Sequence, residues 1–314
     1  MQGNTTPPEL PGYTYLRTLG GGSTSIVYLY RQHAPERDVA VKVNTSPLDE
    51  HARARFRAEA DRMARLSSHP YILSVYGAGV TPDGFDYIVF EYAPGGTYKP
   101  LMQTRRLDVD QTLDLGIKLA SALYTAHRAG IVHRDIKPSN VLITAAGQPA
   151  LADFGVAATI YQSNVSTGHS PAWAAPEVLT EASGGGVASD IYSLGATLFA
   201  ILAGRSPFEY GYPVTSRRQL VRAIVNEPLP ALARPDVPPQ VEQALRKAMA
   251  KDPESRYYTA LDFARTLQNV QMSLFGHATP VVAPDMPAYP RNLQRRRRRT
   301  AAERGGAHGG AWVR

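Results

Sequence analysis

His133-Arg134-Asp135-Ile136-Lys137-Pro138-Ser139-Asn140-Val141-Leu142-Ile143, followed by Asp153-Phe154-Gly155, sets the terms on which the rest of the chain is read. A turn dense in charged and polar groups runs into a short apolar stretch of strand type, and a second acidic turn follows the next such stretch. Phosphoryl transfer calls for parts of this kind: a carboxylate to take a hydroxyl proton, a cation on the moving phosphoryl, and oxygen ligands that hold Mg²⁺ against a triphosphate. Either aspartate alone reads equally well as a turn residue capping its own backbone. The two at this spacing, behind the two charges described next, do not.

Upstream, Val39-Ala40-Val41-Lys42-Val43 places one lysine in an otherwise apolar strand. Alone it is an edge-strand lysine pointing to water. Glu59, however, falls beside Phe56 and Met63 on the inner face of an amphipathic helix expected over 49–66. A buried Lys and a buried Glu each cost several kcal/mol unless paired, so a Lys42–Glu59 ion pair is expected. Before them stands Leu19-Gly20-Gly21-Gly22-Ser23-Thr24-Ser25-Ile26-Val27, a turn whose glycines let backbone amides approach phosphate oxygens. It could equally be a bare hairpin turn. A dinucleotide fingerprint is excluded, because strand rather than helix follows the glycines.

Strands are expected over 13–19, 26–31, 39–43, 73–80 and 87–92, and the period turns helical from about residue 96. Leu113, Ile117, Ala120 and Tyr124 form one helical stripe, and Phe263, Leu267, Val270 and Leu274 another. Between them 190–202 is apolar nearly all round, as in a helix buried on every side. After about Gly276 the chain becomes Pro-rich, then Arg-rich, then Gly-rich, with too little apolar surface to fold alone.

The chain has no Cys, which removes disulfides, thiolate metal sites and a catalytic thiol, and fits a reducing cytoplasm. No leader or membrane-spanning run is read from the sequence. Of 34 basic and 27 acidic residues, eight Arg and two acids lie in 278–314, leaving 26 against 25 in the first 277. The net charge of +7 is thus a property of the tail, and gives no reason to make the folded body a nucleic-acid binder. Arg295 to Arg299 reads either as a solvated, disordered run or as a weak electrostatic contact with anionic membrane. No aromatic stacking platform accompanies it, so no specific nucleic-acid partner is expected.

Together these motifs, in this order, resemble the eukaryotic-like (Hanks-type) serine/threonine protein kinases of the bacterial branch, over residues 13 to about 270. The resemblance implies an α+β, bilobal protein kinase fold. A small antiparallel β-sheet N-lobe with one helix (13–92) and a mainly helical C-lobe (96–270) would follow an N-terminal extension (1–12) and precede a disordered basic tail (276–314). It implies ATP and Mg²⁺ as cofactors, Asp135 as catalytic base, Lys137 as the cation at the γ-phosphate, and Asn140 and Asp153 as metal ligands. Lys42, oriented by Glu59, would hold the α- and β-phosphates under Leu19, Gly20 and Gly22. Adenine would lie between Val27 and Ala40 above and Leu142 below, bonded to the backbone of Glu91 and Ala93, with Phe90 behind. Lys two residues after the base is the serine/threonine pattern. Protein substrates, self-association for trans-autophosphorylation at Ser166 or Thr167, and a cytoplasmic or membrane-peripheral location follow. Glu177 would pair with Arg256, and Asp190 would bind the backbone of the His133-Arg134 turn. Met63, Val75, His133 and Phe154 would stack as a column between the lobes. A pseudokinase, binding nucleotide without turnover, is the alternative. Departures are Ser25 at the third loop-glycine position, His169-Ser170 where the family has Gly-Thr, and Trp173 in the usual Tyr position.

Overall fold

Alternation of side chains across a strand explains how the first third of the chain folds. In the computed structural model, which describes residues 6–22, 24–104, 107–154 and 170–283 and Glu59 by its backbone alone, five strands form one antiparallel sheet. They are β1 (Tyr13–Gly21), β2 (Ser25–His33), β3 (Glu36–Asn44), β4 (Val75–Val80) and β5 (Asp86–Glu91), in spatial order β1-β2-β3-β5-β4. Val39, Val41 and Val43 point to one face, where they pack with Tyr28, Tyr30, Val89 and Leu10. Period two then sends Ala40 and Lys42 to the opposite face, with Ile88 and Phe90 as their register partners. The lysine is thereby aimed at the cleft rather than at water.

That cleft-side face is covered by α1 (Glu50–Leu66), whose N-cap Asp49 accepts a hydrogen bond from Ala52 N at 2.7 Å. Ala52, Phe56, Ala60, Met63 and Leu66 are buried, a stripe at helical spacing whose last four members join Phe90 and Val75 in one core. Two short strands, β6 (Val141–Ile143) and β7 (Pro149–Leu151), carry the two acidic turns. The segment joining the lobes approaches β6 closely: Gly95 N donates to Ile143 O at 3.1 Å, and Ile143 N to Gly96 O at 2.9 Å. A Cβ at Gly95 would lie 2.6 Å from Ile143 Cβ, so only glycine allows this contact.

The remaining elements are helical: α2 (Tyr98–Thr104), α3 (Val109–Arg128), α4 (Pro176–Leu179), α5 (Val187–Ala203), α6 (Pro207–Gly211), α7 (Arg217–Asn226), α8 (Pro239–Ala248) and α9 (Ala260–Phe275). Asp108 and Gln111 form a capping box at the start of α3. From Ser189 to Ala203, α5 is buried at every position, the spine expected from its all-round apolar sequence, with α3 and α8 packed against it. At roughly 1.5–3 kcal/mol per fully buried large side chain, Ile191, Leu194, Leu198, Phe199, Ile201 and Leu202 make this helix the chief apolar anchor of the lobe.

The last helix, Ala260–Phe275, contains the whole expected stripe from Phe263 to Leu274, and one expected boundary needs correction. The tail does not begin as disordered chain at 276, because residues 277–282 dock on α3 and α9 through hydrogen bonds at His277, Thr279 and Val282. Apolar content misjudged this stretch, which is held by polar pairing. The chain divides into a unit Met1–Val282 and a unit Ala283–Arg314. The arginine run and the hydroxyls at Ser166 and Thr167 lie outside the described residues. No helix among the described residues is long and apolar enough to cross a membrane.

Candidate active site

Asp190, wholly buried near the start of α5, holds the turn that carries the first acidic group. Its carboxylate accepts from His133 N and Arg134 N, each at 2.8 Å, and lies 2.8 Å from His127 Nε2. A core charge with three partners is satisfied rather than reactive. The grip is needed because Arg134 takes a left-handed backbone, φ 68°, which a side chain disfavours and which persists only when its surroundings fix it. His127 was not picked out from the sequence. Its position next to the last residue of α3 gave no sign of a partner 63 residues away.

Beyond that turn the 3₁₀ helix Pro138–Asn140 swings Asn140 back onto Asp135. Asn140 Nδ2 donates to Asp135 O at 2.8 Å and to Oδ2 at 3.1 Å, which leaves the amide oxygen as its ligating atom. Lys137 Nζ lies 2.6 Å from Asp135 Oδ2 and donates to Ser170 Oγ at 2.8 Å. Ser170 is thus tied to Lys137 by a hydrogen bond that sequence spacing could not reveal.

Asp153 follows β7 in a left-handed conformation, φ 61°, with Lys42 Nζ donating to its Oδ1 at 2.6 Å. Crowding by surrounding protein pushes this carboxyl up, but the Lys42 ammonium outweighs it and holds the group below the usual carboxylate range. Some 43% of the Asp153 side chain still meets solvent, as a group facing an open cleft should. The expected Lys42–Glu59 pair lies outside the described residues, because only the backbone of Glu59 is described. Phe154 is fully buried with its ring 4.5 Å from that of His133, and Met63 and Val75 are buried in the same core, so all four members of the expected column are buried. Burial holds the His133 imidazole below its ordinary value despite the carboxylates near it.

Leu19, Val27 and Leu142 are half-buried against the core that contains Ala40 and Phe90. Glu91 N donates to Ser74 O at 2.9 Å and Gly96 N to Ala93 O at 3.2 Å, fixing the joining segment. In the glycine turn, Gly22 N donates to Ser25 O at 2.8 Å, and Ser25 opens β2 opposite Asn44. A Cβ at Gly20 or Gly22 would meet no protein atom within 4 Å. Neither crowding nor a left-handed backbone therefore accounts for glycine there, and the open space would admit a phosphate group. Hard oxygen donors at Asn140 and Asp153 suit Mg²⁺, and the described residues hold no cluster of three acidic or imidazole groups. That is the ligand set of an ion which binds one or two protein carboxylates and takes the rest from phosphate and water.

The second anchor lies below. Arg256 places all five of its N–H groups: on Glu177 Oε1 (2.7 Å) and Oε2 (2.8 Å), and on the carbonyls of Ala188, Ala250 and Lys251. Both expected structural contacts, Glu177 with Arg256 and Asp190 with the turn backbone, are present.

Comparison with known proteins places this geometry. Serine/threonine-protein kinase PknK of Mycobacterium tuberculosis (strain H37Rv) is 41% identical over 271 residues, covering 84% of this chain and 24% of that protein. Serine/threonine-protein kinase PknB of Mycobacterium leprae is 36% identical over 278 residues, covering 85% of this chain and 44% of that protein. The chain spans about a quarter of the length of the PknK proteins it matches. The protein kinase domain profile matches residues 13–267, and the chain belongs to the protein kinase domain family.

Proposed function

We propose that this chain is a serine/threonine protein kinase, transferring the γ-phosphoryl group of Mg-ATP to Ser or Thr hydroxyls of proteins and to its own activation segment. The observation that carries the reading is the joint placement of Asp135, Lys137 and Asn140, mutually bonded, in the same cleft as Lys42 and Asp153. Asp135 accepts the proton of the attacking hydroxyl. Lys137, braced by Ser170, sits beside that carboxylate and offsets charge on the group in transit. Lys42 orients phosphate oxygens under the backbone of Gly20 and Gly22. ATP supplies the phosphoryl group, and Mg²⁺ held by Asn140 and Asp153 neutralises its charge. Leu19, Val27, Ala40 and Leu142 form the apolar slot for adenine, against the backbone of Glu91 and Ala93.

The test is autophosphorylation and peptide phosphorylation by purified protein with Mg-ATP. Asp135→Asn should lower the rate at least ~100-fold, since general base catalysis contributes about that much. Lys42→Met should do likewise without unfolding the chain, and Ser166→Ala with Thr167→Ala should reduce activity partway. Full labelling by Asp135→Asn would refute the assignment.

The tail proposal rests on charge alone: Arg295 to Arg299 would hold a cytoplasmic enzyme weakly at anionic membrane, at ~1 kcal/mol per basic residue near the surface. Binding to phosphatidylserine vesicles that survives removal of residues 291–314, or is insensitive to salt, would rule this out.

A further inference from the structure

We propose that residues 277–282 form a strap whose docking positions the loop at the base of α1, making His69, Ser121 and Thr279 positioning residues for the cleft. The strap lies beyond residue 267, where the match to the protein kinase domain profile ends.

The strap is pinned along its whole length. After Gly276 ends α9 with a left-handed φ of 73°, the chain turns back across α3. His277 Nε2 lies 3.1 Å from Asp110 Oδ2. Thr279 donates from N to Gln271 Oε1 at 2.7 Å and from Oγ1 to Asp114 Oδ1 at 2.8 Å, and its carbonyl accepts from Gln268 Nε2 at 2.7 Å. At its far end, Val282 exchanges two hydrogen bonds with the Ser121 hydroxyl, at 2.5 and 3.2 Å.

The last bond reaches the loop that joins α1 to β4. His69, only 6% exposed, approaches Val282 O at 3.0 Å and Ser121 Oγ at 3.2 Å through Nε2. Tyr71 N donates to His69 Nδ1 at 3.2 Å, so Nδ1 is the acceptor and Nε2 carries the proton given to the strap carbonyl.

From His69 the connections run both ways to the cleft. His69 N donates to the carbonyl of Leu66, the last residue of α1, the helix on which Glu59 lies. Tyr71 O accepts from Leu151 N and Leu73 N donates to Leu151 O, each at 2.9 Å, two residues before Asp153. One buried imidazole thus connects the strap to the end of the helix and to the strand that delivers Asp153. Releasing the strap leaves His69 and Ser121 with buried polar groups unpaired, and the loop must move or hydrate to satisfy them.

The inference rests on the kinase reading only for its catalytic readout, and hydrogen exchange tests it independently of turnover. In the full chain, Ser121→Ala combined with Thr279→Val removes the strap's hydroxyl partners at almost unchanged volume. Amide exchange in both 277–282 and 67–75 should become at least about threefold faster, the loss equivalent to a single net hydrogen bond. kcat should fall with KM for peptide unchanged, whereas Thr279→Ser, which keeps the hydroxyl, should behave as wild type. Should the double variant fold poorly, Thr279→Val alone, at the strap itself, serves the same test. Unchanged exchange in 277–282 shows that these bonds do not hold the strap, and faster exchange there with none in 67–75 shows a passive strap. Either result overturns the proposal. An inactive wild type with coupled exchange overturns the kinase reading and leaves the strap standing.

Discussion

Arg256 shows how much of the fold around the site rests on one buried side chain. Its side chain is fully buried and every guanidinium proton has an acceptor, so the cost of desolvating the charge is offset by five bonds. Burial raises the Glu177 carboxyl and its hydrogen bonds to Arg256 and Ser189 outweigh that, holding it below the usual carboxylate range. Arg256→Ala is expected to lower unfolding free energy by about 3–5 kcal/mol, because it strands a mostly buried carboxylate. Adding Glu177→Gln should recover part of that loss. Urea unfolding of the single and double variants checks it: simple additivity of the two would show that the residues do not act as a pair. Asp190 works differently, since its partners are backbone amides of the turn itself. There the chemistry of the cleft depends on one carboxylate in the hydrophobic spine.

The helices and strands were legible because their apolar periods are clean: Val39, Val41 and Val43 alternate, and Phe56, Ala60 and Met63 step by helical turns, so both elements formed where expected. The turn that carries Asp135 was legible for another reason, the density of charged residue types that a loop would not otherwise carry together. The strap was not legible, because Thr279 and Val282 are held by hydrogen bonds to Gln271, Asp114 and Ser121, partners 8, 165 and 161 residues away, and no local pattern encodes them. The Lys42–Asp153 contact was missed similarly: each residue was recognised, but spacing cannot say which acid an ammonium faces across 111 residues. Element ends follow local chemistry, and α3 offers a test. Asp108 accepts from Gln111 N at 2.7 Å while Gln111 Oε1 accepts from Asp108 N. Asp108→Ala should cost ~1 kcal/mol, a fall in Tm of roughly 2–4 °C for a domain of this size. An unchanged melting temperature would show that packing of α3 on α5 and α9 makes the cap redundant.

At the scale of the whole molecule, the buried imidazoles decide how stability responds to mild acid. Burial lowers His69 and His133 below the ordinary histidine value of about 6.5. For a group whose folded pKa is depressed, the unfolded chain binds its proton first as pH falls. The stability it contributes is complete above about 6.5 and is lost progressively as pH drops from there toward the folded value. Asp153 and Glu177, also depressed, add a second loss of the same sign only at lower pH, below about 4.5, where free carboxylates take up protons. The acid limb should therefore have two stages, histidine first and carboxylate second. In the first stage each imidazole contributes at most ~1.4 kcal/mol per pH unit. Protonation also has a local meaning at His69, since the proton must go to Nδ1, the acceptor of the Tyr71 amide. The strap contact is then strained as the whole fold weakens, whereas His133 bears on the lobe-joining column beside Phe154. Urea unfolding at pH 7.5, 6.5 and 5.5 should give a midpoint that falls slightly between the first two and more steeply to the third. Replacing His69 with Asn, which keeps a donor and an acceptor but does not titrate, should flatten the decline between 6.5 and 5.5. A midpoint independent of pH across this range in the wild-type chain would show that neither imidazole is buried in its neutral form.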